Sequence, residues 1–372
     1  MSKLSSFLRG LKVIDVSQYL PGPFASLLLA DMGACVLKIE PPTGDEARRF
    51  GACFPDGTPA FHEAVNSGKF IALLDLKSED GRACFLELAA KADVMIEGYR
   101  PGVMKKLGLD YPAIRERNPD IIYCSISGYG QDRTNRAGHD GNYLAEAGVL
   151  DRNGSSEPVL FDPPPADLAG SFFAATAILG ALHGRNRGLG GCHIDLALAD
   201  CVHPLQIREL AEYAVSGTSP RRGHSISSDS LARNRVYLTG AGYHVAFCAL
   251  EPKFWEKFCE RAGRPAWITR LSDPVPQQAL AHEIGSFLLG LSAAELAPLL
   301  DDPDLCMSRV YTLEEAVDRA SASGRGLLLE KEGRVQALFP AQLDGQAPAP
   351  RVAPLSISDL HGVGWESLIS SS

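Results

Sequence analysis

The chain has 372 residues, 45% hydrophobic and 22% charged, with a formal net charge of −9. That length suits two domains, and the acidic balance argues against a nucleic-acid partner, which needs a basic face to neutralise phosphates. An anionic small ligand stays open, because a local field can oppose the net charge. No apolar run approaches the roughly 20 residues of a membrane span, and no leader or lipidation signal stands at either end, so no membrane partner is expected. Nine scattered cysteines without a C-x-x-C pair read as reduced residues of a cytoplasmic protein.

The first half alternates strands and helices. Residues 11–17 (LKVIDVS) predict a buried strand, 21–33 (PGPFASLLLADMG) a helix opened by prolines and closed by Gly33, and 34–40 (ACVLKIE) the next strand. Residues 69–76 (KFIALLDL) form a third strand, followed by a helix over 78–92 with Ser78 as its cap. Strands over 93–99 (DVMIEGY) and 120–130 (DIIYCSISGYG) flank a segment of helical periodicity, 101–119. Strands separated by helices predict an α/β fold, a parallel sheet covered on both faces, with ligands at the carboxyl ends of its strands. A long apolar helix begins near Asp167 after the proline-rich DPPPA; a strand over 191–198 and a helix over 200–217 follow. The polar, turn-rich residues 217–234 read as a linker. The chain therefore divides into a large Rossmann-like domain, 1–215 with 325–372 returning to it, and a smaller α+β domain, 216–324.

Standard phosphate, dinucleotide, zinc-protease and serine-hydrolase motifs are missing: no G-x-G-x-x-G follows the first strand, and no G-x-x-x-x-G-K-[ST], H-E-x-x-H or G-x-S-x-G occurs. Three residues carry candidate chemistry, each with a plainer alternative. Asp167 reads as a helix cap, or as a carboxylate beside free N–H groups that stabilise an oxyanion while it moves a proton or attacks a carbonyl. His139 reads as a loop residue bonded to backbone, or as a general base. Glu251, before Pro252, reads as acidic dressing of a helix start, or as a carboxylate orienting a histidine. His193 and His203 lack paired ligand spacing and read as structural, with no metal site. Arg100, Lys77, Lys105 and Lys106 group at strand ends, where they suit a phosphorylated ligand.

These residues lie in a pattern that resembles the family III coenzyme A transferases and racemases. The carrying segments run in order from PGPFASLLLADMGACVLKIEPP through NSGKFIALLDLKSEDGR, VMIEGYRPGVMKKLGL, NPDIIYCSISGYGQ, GHDGNYLAEAGVL and ADLAG to GRNRGLGGCHIDLALAD. The resemblance implies an interlocked homodimer and coenzyme A bound to the large domain as part of the substrate, with no metal or redox cofactor. It places Leu74, Asp75, Leu76, Lys77, Gly98, Tyr99, Arg100, Lys106, Gly138, Asp140, Gly141, Asn142 and Tyr143 at coenzyme A.

GHDGNYLAEAG and Glu251 are similar to the α-methylacyl-CoA racemase branch. That similarity implies His139 and Asp167 on opposite faces of the α-carbon, Glu251 behind the imidazole, and backbone N–H groups beside Asp167 for the enolate. The transferase branch implies Asp167 as a nucleophile passing through a thioester intermediate. A third alternative is a CoA-thioester binding protein without turnover. Pro41 stands where the family often has a phosphate-binding arginine, so either Lys38 replaces that contact or it is lost. Phe172 and Phe173 stand where racemases have a methionine-lined segment, which implies an aromatic-lined acyl pocket or a different reaction at the same carbon.

Overall fold

The computed structural model describes residues 2–132, 136–154, 156–225 and 230–371. Its strands are β1 (Lys12–Asp15), β2 (Cys35–Glu40), β3 (Phe70–Leu73), β4 (Val94–Glu97), β5 (Ile122–Ser127), β6 (Cys192–Ala197), β7 (Asn234–Leu238), β8 (His244–Cys248), β9 (Met307–Arg309), β10 (Leu328–Lys331), β11 (Arg334–Ala337) and β12 (Leu355–Ile357). Seven form one sheet in the order β12-β3-β2-β1-β4-β5-β6, every neighbouring pair parallel. Every residue of β2, β4 and β5 is buried, as expected of parallel strands covered by helices on both faces. Contacts divide the chain into two compact units. The larger comprises Met1–Ala147, Phe161–Leu205 and Val317–Ser372, and the smaller Gly148–Leu160 and Gln206–Ala316.

In the larger unit, Pro21 starts the helix Pro21–Asp31, where a missing N–H costs nothing. Ser78 caps the helix Glu79–Ala89, its hydroxyl accepting the Gly81 N–H at 3.0 Å. The periodic segment after β4 breaks into two short helices, Val103–Leu107 and Tyr111–Arg117, because Gly108 takes a left-handed conformation between them. The tail returns as β12 beside β3 and as the helix Trp365–Ser371. Trp365 sinks into the core with Phe85 and Leu88, and its indole N–H donates to the Leu88 carbonyl at 3.0 Å.

Helix Pro165–Asn186 differs from expectation in two ways. It begins two residues before Asp167, so Asp167 sits inside its first turn and is not its cap. Although no apolar run of the chain approaches roughly 20 residues, an 18-residue stretch within its 22 residues averages a hydropathy of 1.4, which meets the length and composition of a membrane span, as a core helix also can. Small residues make the difference: Ala166, Ala169, Gly170, Ser171, Ala174 and Ala175 are buried where the helix packs on helix Pro21–Asp31, β5 and β6.

The smaller unit holds the antiparallel sheet β7-β8-β9, packed with helices Pro252–Arg261, Gln278–Leu289 and Ala293–Leu300 around Phe247, Trp255, Phe258, Leu280, Ile284 and Leu296.

Candidate active site

Strand order turns back between β1 and β4, so the chains leaving the carboxyl ends of these strands diverge and open a crevice. A cavity of about 680 Å³ occupies it. The turn after β1 (Ser17 to Gly22) forms one wall and Gly98 to Pro101, after β4, another. Gly138, His139, Tyr143 and Asp167 all face the same space, so the structure brings together the two residues expected at the reacting carbon.

His139 caps the short helix Asp140–Glu146, with its own N–H donated to Asn142 Oδ1 at 3.0 Å, and it is exposed. Gly138 precedes it for a steric reason: a Cβ there would lie 2.9 Å from Tyr143 Cε1 and 3.0 Å from Tyr129 Oη. Tyr143 locks the turn, its hydroxyl donating to the Gly138 carbonyl at 2.7 Å and its ring lying edge-on to Tyr129 at 5.4 Å.

Asp167 is half-buried in the first helical turn. Burial, and then the charge of Asp140, push its carboxyl up to about 6. Asp140 Oδ1 accepts the N–H of Ala166 at 2.7 Å and of Asp167 at 3.1 Å, and the Leu168 N–H goes to the Pro164 carbonyl. The N–H groups expected to hold an enolate beside Asp167 are therefore already engaged, and that assignment is withdrawn. The cap of this helix comes from Asp140, 26 residues earlier than Ala166.

The expected coenzyme A contacts separate. Gly98, Tyr99, Arg100, Gly138 and Tyr143 line the cavity. Leu74 and Leu76 are core side chains, leaving only their backbone for a ligand, while Asp75 and Lys77 are exposed in the turn after β3. Lys106 is exposed on the helix Val103–Leu107, and Asn142 on its own helix; Gly141 lies in the same first turn as Asn142. Phe172 and Phe173 stand outside the cavity lining, Phe172 edge-on to Phe24 at 5.7 Å. Glu251 belongs to the smaller unit, exposed at the cap position of helix Pro252–Arg261.

Lys38 does not replace the missing arginine. It is fully buried, 2.6 Å from the Ser17 carbonyl and paired with Asp45 at 2.9 Å. It belongs to an ionic cluster beneath the site that the sequence reading missed. Asp15 accepts from the hydroxyls of Ser17 and Ser26; burial would raise its carboxyl, but Lys38 and Lys69 outweigh this and hold it low. Glu40 pairs with Arg48 and His62; burial opposes its ionisation, and these hydrogen bonds bring it down to about 2. Asp45 Oδ1 accepts the N–H of Tyr19 at 3.3 Å, which fixes a left-handed residue (φ 63) in the cavity wall. Among the described residues, Glu40, Asp45 and His62 bring three potential metal-ligand atoms within 4.8 Å of one another, but Lys38 and Arg48 already supply positive charge there. Glu97 was also missed: it is buried at the end of β4, accepts the Tyr99 N–H at 2.9 Å, and is pushed up to about 7 by burial. A lysine and glutamates inside otherwise apolar strands were the available signal.

Comparison with known proteins agrees with this fold. The model of CoA-transferase family III matches residues 8–356. A succinyl-CoA:mesaconate CoA-transferase of Haloarcula hispanica is 34% identical over 307 residues, 78% of this chain and 77% of the relative. The human alpha-methylacyl-CoA racemase is 30% identical over 354 residues, 92% of this chain and 87% of the relative. The crystal structure of a CaiB/BaiF family protein from Brucella suis superposes with a TM-score of 0.80 at 27% identity, covering 94% of this chain and 96% of that one. The relatives are enzymes of two kinds, racemase and transferase, built on one fold, and the chain belongs to CoA-transferase family III.

Proposed function

We propose that the chain inverts the α-carbon of a 2-methylacyl-CoA thioester. One group removes the α-proton and the electron pair moves onto the thioester carbonyl. A second group returns a proton to the opposite face. His139 and Asp167 are the pair, and Glu251 orients the imidazole, in a homodimer. The observation that carries this reading is that an exposed histidine and a carboxyl pushed up to about 6 line one cavity. A carboxyl of ordinary acidity is a poor base for a carbon acid, whereas one shifted toward neutrality can both take and give a proton. The similarity to the human racemase supports the same reading.

The test is incubation with racemic and single-enantiomer 2-methylacyl-CoA in deuterium oxide. Deuterium enters the α-position with inversion if the proposal holds; neither exchange nor inversion refutes it. A second reading, CoA transfer between carboxylic acids with Asp167 as nucleophile, is favoured by the similarity to the Haloarcula transferase. Hydroxylamine after incubation with an acyl-CoA traps an Asp167 acyl or thioester intermediate as a hydroxamate under that reading alone.

A further inference from the structure

Proton exchange of His139 and Asp167 with the α-carbon assigns Asp140 no part, yet its side chain accepts the Asp167 N–H directly. Helix Pro165–Asn186 starts without a side-chain cap of its own, because Pro164 occupies the cap position and Pro165 has no N–H to offer. The first donors of the turn belong to Ala166 and Asp167, and Asp140 Oδ1 accepts both. Burial raises the Asp140 carboxyl as well, but the two N–H groups it grips at the helix start favour its charged form and offset part of that rise. Asp167 has no comparable support: burial raises its carboxyl, and the neighbouring Asp140 charge raises it further. Two close carboxyls with unequal partners divide their roles, one holding the charge and the other the more basic position.

We propose that Asp140 is a positioning residue for Asp167: it fixes the helix start that carries Asp167 and, through its charge, makes Asp167 basic enough to exchange a proton with carbon in both directions. The proposal rests on the acid–base reading above. In one direction the α-C–H bond breaks toward His139, the pair moves to the thioester oxygen, and the Asp167 O–H proton passes to carbon. In the other, the Asp167 carboxylate takes the α-proton and the imidazolium returns one. Charge is conserved in each direction.

Among the described residues, the other charged and titratable groups on the elements around this helix start are few. His139, Tyr143 and Glu146 lie on the adjoining helix and its cap, with Tyr129 and Arg136 on the preceding loop, where Arg136 is paired with Glu146 at 2.7 Å. Asp200 lies on the turn Leu198–Cys201. Strands β5 and β6, packed along the helix, carry Tyr123, His193 and Asp195. Helix Pro21–Asp31 adds only Asp31, at its far end, where it is paired with Arg351. Of these, Asp140 is the group that acts on the Asp167 carboxyl by charge.

The test compares wild type with Asp140→Asn, whose amide oxygen still accepts both N–H groups without the charge, and Asp140→Ala, which removes both. Protein carrying [γ-¹³C]aspartate is titrated by NMR, the Asp167 resonance being identified by its loss in Asp167→Asn. The Asp167 midpoint falls by up to about one pH unit in Asp140→Asn, since burial is the larger cause of its rise, while Tm stays near wild type. In Asp140→Ala the midpoint falls similarly and Tm drops as well. The α-proton exchange rates of the two enantiomers become unequal in Asp140→Asn, because only one of them gives its proton to Asp167. An unchanged Asp167 midpoint in Asp140→Asn overturns the proposal whatever the enzyme does. A shifted midpoint in a protein whose wild type exchanges no α-proton supports the carboxyl coupling and removes the racemase reading instead.

Discussion

Replacing Lys38 by methionine tests whether the buried ionic cluster holds the cavity wall. Lys38 and Asp45 are both fully shielded from solvent and 2.9 Å apart, so the substitution keeps the chain length and leaves Asp45 as a buried charge without its cation. It also strips the Ser17 carbonyl of a donor at 2.6 Å. Removing one partner of a buried pair costs about 3–5 kcal/mol, whereas removing both charges is often close to neutral. For a chain of this size that is about 4–6 °C in Tm. In the double variant Lys38→Met/Asp45→Asn, the amide oxygen still accepts the N–H groups of Tyr19 and Ala47 that Asp45 Oδ1 holds, and no charge is stranded. Urea and thermal unfolding of the two single variants and the double variant complete a cycle. The double variant is expected to recover most of the loss. A Lys38→Met protein within about 1 kcal/mol of wild type, or a double variant as unstable as the sum of the singles, refutes the reasoning.

His139→Ala lowers α-proton exchange by about 10²–10⁴-fold while CoA-thioester affinity, measured by calorimetry, changes little, because the imidazole is exposed. Asp167→Asn is a stability test with a definite sign. The folded carboxyl titrates at about 6, above the ordinary value of about 3.9, so the native state is penalised as pH rises through that window. The asparagine variant gains Tm over wild type at pH 8, and the gain vanishes at pH 4; equal differences at both pH values contradict it. Trp365→Ala, which empties a buried pocket and leaves the Leu88 carbonyl without its indole donor, lowers stability by about 3–5 kcal/mol in chemical denaturation.

Local pattern and long-range pairing divided the reading of this chain. Largely apolar runs such as CVLKIE and IIYCSIS announce buried parallel strands because covered strands need no polar face. Glycine and proline mark where helices start and stop for backbone reasons that need no neighbour. His139 and Asp167 were legible only through the family pattern around them, since a histidine after glycine and an aspartate near a helix start are ordinary residues in isolation. Gly138 lines the cavity as a ligand-side glycine would, and it also makes room for two tyrosine rings, which no local pattern announced.

The amino-acid sequence by itself determined the elements, the α/β class and the pair of residues to examine, because hydrophobic period, turn chemistry and motif order are properties of short segments. Only the tertiary structure decided which polar groups meet. Asp140 reaches the N–H groups of Ala166 and Asp167 across 26 and 27 residues, Lys69 reaches Asp15 across 54, and Lys38 turns inward to Asp45 rather than outward to a ligand. Each of these contacts depends on which strands lie side by side, and that order is set by packing the whole sheet.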